Sequence, residues 1–143
     1  MGSKPLHARR ATVFGGLSLV LTGAHGQAGQ ADPRWYQAAV RMQRLAQSWG
    51  DQPYGAVLVL DGAIVGEGPS RVVKNKDLDA HAEREAIRDA RRKLGRDQLT
   101  GAVLYSTSRP CSLCEAAAAE AGVSRMYFGA SLVDGGTPRK PQR

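Results

Sequence analysis

Three side chains in this 143-residue chain form a set suited to holding a metal ion: His81, Cys111 and Cys114. Zinc favours such a mixture of imidazole nitrogen and thiolate sulfur. The histidine stands in Ala80-His81-Ala82-Glu83, and the cysteines stand thirty residues on, in Pro110-Cys111-Ser112-Leu113-Cys114. A structural zinc site uses four protein ligands, whereas a catalytic one keeps a position for water. The chain has two cysteines and three histidines, and His7 and His25 fall in an N-terminal stretch that reads as a removable signal. His81, Cys111 and Cys114 then remain, with no fourth ligand except a carboxylate. That is the open, hydrolytic arrangement, and Glu83 is placed to carry the proton of the water.

The spacing requires helix starts to position these groups. Cys111 and Cys114 are i and i+3, so they share a face if Pro110-Cys111 opens a helix, a place that suits proline because it has no N–H to leave unpaired. Free N–H groups and the positive end of the helix dipole favour thiolate over thiol there. His81 and Glu83 are i and i+2, and inside a regular helix such a pair diverges by about 200°. They converge only at the start of a helix running from about Ala80 to Leu94. Alone, Cys-x-x-Cys also reads as a redox pair or a disulfide, and His-x-Glu says little. In this order, each followed by a helical pattern, the two motifs read as one zinc site.

The rest of the chain is a single modest domain with an N-terminal extension. Residues 1–28 carry Lys4, Arg9 and Arg10 and no acids, then a short apolar run from Ala11 to Leu21 and small residues at Gly26-Gln27-Ala28. This pattern resembles a twin-arginine export signal, although Thr12 and Val13 depart from its usual Phe-Leu. It implies a periplasmic protein, whose folded, zinc-loaded form the twin-arginine route would carry; without a working signal the protein stays cytoplasmic. The formal charge is +7, of which those three residues supply three, leaving +4. That excess lies mainly on Arg84, Arg88, Arg91, Arg92 and Lys93, which read as a solvated helix face rather than a nucleic-acid surface. No apolar run is long enough for a membrane-spanning helix.

Periodicity gives the elements. Trp35, Ala38, Ala39, Met42, Leu45, Ala46 and Trp49 recur at helical spacing after Asp32 as N-cap and Pro33 at the first position. Tyr54 to Leu60 reads as a buried strand, Asp61-Gly62 as a hairpin turn and Ala63 to Glu67 as its partner. A loop leads to the His81 helix, which ends near Gly95. Ala102 to Ser106 is a third strand, Cys111 to Ala121 the second site helix and Arg125 to Phe128 a fourth strand. The polar residues 131–143 are expected to be a flexible tail. This order predicts an α/β domain of three layers, αβα, with a mixed central sheet.

Residues 32–130 resemble the cytidine deaminase superfamily, in its branch of guanine deaminases, yeast-type cytosine deaminases and tRNA adenosine deaminases. The resemblance is carried by Pro53-Tyr54-Gly55-Ala56-Val57, Asp61-Gly62, Gly66-Glu67-Gly68, His81-Ala82-Glu83, Pro110-Cys111-x-x-Cys114 and Tyr127-Phe128-Gly129-Ala130. It implies the cytidine-deaminase-like fold, a homodimer, and zinc-dependent hydrolytic deamination of a small nucleobase or nucleoside of guanine or cytosine type. Zinc lowers the pKa of water from 15.7 toward about 7, and Glu83 is the proton shuttle. The Ala82 backbone N–H is assigned to the substrate, with Ser70 and Tyr54 as further pocket residues; the other reading of Tyr54 is a strand-packing aromatic. Ser70 stands where relatives usually have Asn, Arg109 where they tend to have Glu, and no aromatic-bearing C-terminal helix follows. The alternatives are a tRNA adenosine deaminase, disfavoured by export and the weak basic face, and a catalytically idle zinc-binding domain, against which Glu83 argues.

Overall fold

The computed structural model describes residues 30–142, so the export signal read in residues 1–28 lies outside the described residues. The first helix, α1 (Pro33–Ser48), begins as its sequence dictates. Asp32 is extended and its carboxylate accepts the Arg34 N–H at 2.9 Å, with Pro33 in the first turn. Strands β1 (Gly55–Leu60) and β2 (Ala63–Pro69) form a hairpin over Asp61 and Gly62, both at positive φ (51° and 74°), the conformation of a type I′ turn. Then follow α2 (Ala82–Leu94), closed by Gly95 in the left-handed region, β3 (Val103–Ser106), α3 (Ser112–Glu120) and β4 (Arg125–Phe128).

These strands and a fifth, β5 (Val133–Gly136), form one sheet of order β2-β1-β3-β4-β5, in which β3 and β4 are parallel and the other neighbours antiparallel. The parallel pair is joined through α3, the crossover that such a pair needs. Alternation along β1 and β3 divides the core. Leu58 and Leu104 pack with Ala82, Ala86, Ile87 and Ala118 of α2 and α3, while Val57, Val59 and Tyr105 pack with Ala38 and Trp35 of α1. The expected three-layer αβα domain with a mixed sheet is therefore what forms.

Two glycines set how closely the layers approach. A Cβ at Gly68 of β2 would overlap the Ala82 carbonyl oxygen, and one at Gly66 would overlap that of Ala86. The Gly66-Glu67-Gly68 run is thus a flat strip on which the first turns of α2 lie.

One expectation is corrected. The polar composition after Gly129 suggests a flexible tail over residues 131–143, but Val133–Gly136 forms a fifth strand, β5, antiparallel to β4. Asp134 pairs with Arg125 at 3.1 Å. The antiparallel ladder to β4 holds this segment although Val133 is its one apolar side chain.

Candidate metal centre and its cavity

The starts of α2 and α3 lie side by side, and each is capped by a ligand residue. His81 is the N-cap of α2, in extended conformation (φ −64°, ψ 151°), and its side chain makes no capping bond. The imidazole is therefore free to point away from its own helix. Cys111 is the N-cap of α3, and its Sγ accepts the Cys114 N–H at 3.4 Å. Pro110 thus lies just outside the helix rather than at its first position, and Cys111 itself opens it.

His81 Nδ1 lies 3.4 Å from Cys114 Sγ and 3.7 Å from Cys111 Sγ. Among the described residues these three are the one group of potential ligands brought within 4.8 Å of one another. With zinc–sulfur bonds of about 2.3 Å and zinc–nitrogen bonds of about 2.0 Å, tetrahedral ligand atoms stand roughly 3.5–3.8 Å apart. The donor set and its spacing fit zinc. Cys114 is fully buried. Burial pushes its thiol pKa up, and the Glu83 carboxylate and Cys111 push it further in that direction. The expected helix-start preference for thiolate is thus outweighed at Cys114, which becomes an effective ligand when a bound cation supplies the compensating charge.

Glu83, the second residue of α2, is 5% exposed, and its Oε1 accepts the Ser106 hydroxyl at 2.7 Å. Buried carboxylates need such partners. His81, Ala82, Glu83 and Cys111 line a cavity of about 210 Å³ with Gln52, Tyr54, Ser108 and Arg109. Ala82, opening α2, presents a first-turn N–H that has no intrahelical acceptor. Tyr54 is 43% exposed and stands in the cavity wall rather than packing in the sheet.

Ser70 is placed differently from the substrate contact expected of it. It is fully buried and outside the cavity lining, and its hydroxyl donates to Asp51 Oδ1 at 3.0 Å. Asp51 also accepts the N–H groups of Gln52 and Lys74, each at 2.8 Å, and the Ser70 N–H donates to the Tyr54 carbonyl at 3.1 Å. Ser70 and Asp51 therefore anchor the Gln52–Tyr54 wall from behind. Burial pushes the Asp51 carboxyl up, but hydrogen bonds from Lys74, Gln52, Ser70 and Val73 more than offset this and hold it below the ordinary carboxylate range.

Sequence reading did not single out Ser106, Asp51, Gln52 or Ser108. Ser106 did leave a signal. It shares the face of β3 that Leu104 turns toward α2, so it is a hydroxyl at an inward position of a buried strand. A wider groove of about 520 Å³ crosses the outer side of α2, but its charged lining is paired internally, as in Arg71–Glu85, Arg88–Glu85 and Arg92–Asp89. No described helix is long and apolar enough to cross a membrane.

Residues 30–130 match the family model described as the cytidine and deoxycytidylate deaminase zinc-binding region. The tRNA-specific adenosine deaminase of Agrobacterium fabrum (strain C58) is 44% identical over 94 residues, covering 64% of this chain. The match spans 62% of that relative's length. A solved structure from a study of A-to-I editing by tRNA deaminases at the wobble position superposes with a TM-score of 0.66 at 39% identity, over 68% of this chain and 71% of that one. The guanine deaminase structure from Bacillus subtilis gives 0.66 at 35% identity, over 71% and 65%.

Proposed function

The chain belongs to the cytidine and deoxycytidylate deaminase family, and we propose that it hydrolyses the exocyclic amino group from the ring of a small nucleobase or nucleoside, releasing ammonia. The observation that carries this reading is the juxtaposition of a three-ligand cluster with a buried carboxylate in one small cavity. A site for metal alone has no use for Glu83, which is costly to bury and makes no part of the ligand cluster.

His81, Cys111 and Cys114 would hold zinc, which when bound supplies Lewis acidity that makes water a competent nucleophile at neutral pH. Glu83 accepts the proton of the attacking water and passes it to the ring nitrogen beside the carbon under attack. The water oxygen bonds to the amino-bearing carbon; Glu83 then takes the second proton from that oxygen and gives it to the amino group, so that the C–N bond breaks and a ring carbonyl and ammonia are left. Ser106 keeps the carboxylate aimed into the cavity. To the Ala82 N–H and Tyr54, both in the cavity lining, we assign contact with the ring. At about 210 Å³ the cavity is smaller than the roughly 300–1,000 Å³ of drug-sized ligand sites, and it suits a single ring system.

Zinc-loaded protein incubated with bases and nucleosides of guanine, cytosine and adenine type should release ammonia from at least one of them. Release from none, with zinc bound, sinks this reading. The 44% identity to a tRNA-specific adenosine deaminase favours a second reading, in which the ring is an adenosine within RNA. A tRNA anticodon stem-loop in the same assay separates the two: inosine formed there, with no turnover of free bases or nucleosides, selects the second.

A further inference from the structure

The basic residues on and beside α2 lie outside the cavity lining. Arg71, Arg84, Arg88, Arg92 and Lys93 are engaged with Glu85, Asp79, Asp77 or Asp89. Arg109 is placed otherwise. It lines the cavity, is exposed, and has no acidic partner among the described residues. Its guanidinium lies over the Phe128 ring, 5.4 Å from the centroid. Stacking engages the flat face of a guanidinium and leaves the N–H groups around its edge free. The other charged groups lining the cavity are occupied: Glu83 accepts from Ser106, and His81 belongs to the ligand cluster.

We propose that Arg109 is a specificity-determining residue, selecting substrates that carry an anionic group, phosphate or carboxylate, outside the amino-bearing ring. The planar fork of N–H donors matches either oxyanion in bidentate fashion. Held on Phe128 at the exposed side of the cavity, it meets a substituent that projects from a ring seated toward Glu83. The inference rests on the deaminase reading above and names the substrate class within it.

The test compares a nucleoside, its 5′-monophosphate and a carboxylate-bearing heterocycle with the same amino-bearing ring, using zinc-loaded wild type, Arg109→Gln and Arg109→Lys. KM and kcat are followed by ammonia release, and calorimetry measures binding of the same compounds to Glu83→Gln. A charge-assisted hydrogen bond at an exposed guanidinium should lower KM for at least one anionic compound about tenfold relative to the neutral nucleoside. The monophosphate and carboxylate arms identify which oxyanion is preferred. In Arg109→Gln the preference should collapse to within about twofold, whereas Arg109→Lys should keep part of it, since its charge remains but the fork is lost. Equal handling of neutral and anionic compounds by wild type overturns the proposal while the deaminase reading stands. A preference that survives Arg109→Gln also overturns it, as does a lowered Tm with selectivity intact, which would mark Arg109 as packing on Phe128 alone. A preference confined to RNA oligonucleotides overturns it in favour of a phosphodiester partner. Neither turnover nor binding of any of the compounds defeats both readings.

Discussion

Glu83 and His81 are separated by one residue, yet both face the cavity because the chain is extended at His81 and turns helical at Ala82. A metal ligand and a proton carrier should fail differently. Glu83→Gln keeps the volume and the hydrogen bond from Ser106 but cannot accept a proton, so zinc content should persist while turnover falls by roughly 100- to 10,000-fold. Cys111→Ala should lose zinc and activity together, as metal analysis beside an ammonia assay will show. Ser106→Ala leaves a buried carboxylate oxygen without its donor. It should destabilise the fold by about 1–3 kcal/mol in urea titration, and an unchanged midpoint would mean that another group satisfies Glu83. At this scale the ligand set was legible in the sequence because the chain has only two cysteines and three histidines. Ser70 was not: its burial against Asp51 depends on a contact across 19 residues, which residue type alone does not reveal.

Two helix starts and the strip beneath one of them position the chemistry. Because Gly68 carries no side chain, α2 settles onto β2 with the Ala82 carbonyl in the space a Cβ would need. Gly68→Ala must push that first turn away from the sheet, carrying His81 and Glu83 with it. Overpacking of this kind costs about 1–3 kcal/mol, so the variant should melt lower and bind zinc more weakly; wild-type zinc affinity would show that α2 need not lie so close. The elements themselves were readable from periodicity, since α1, the hairpin, α2 and α3 all fall where their apolar spacing and caps place them. Strand β5 was hidden because Val133-Asp134-Gly135-Gly136 has little strand propensity and is ordered by pairing with β4. Pro110 misled by two residues, since it precedes the Cys111 cap instead of following a cap as the first helical residue.

The whole molecule joins a metal centre to a cavity wall held by the buried anchor at Asp51. Because hydrogen bonding depresses the Asp51 pKa in the folded state, its contribution is fully present above an unfolded value of about 3.9 and is lost as pH falls through the lower folded value. Asp51→Asn should therefore be less stable than wild type at pH 7, by about 1 kcal/mol, with the gap closing below about pH 4; a gap constant between pH 7 and pH 3 would contradict the assignment. If residues 1–28 act as the export signal read from the sequence, protein from the native host begins near Gly29 on N-terminal sequencing, and an N-terminus at Met1 or Gly2 rules that out. The central claim is that zinc at His81, Cys111 and Cys114 supports deamination in the adjoining cavity. The most direct measurement strips the protein of metal, returns zinc in steps, and records bound zinc and ammonia release in the same samples. The rate should rise in proportion to zinc and stop rising at about one ion per chain; a full rate before any zinc returns, or none after one ion has bound, would contradict the account.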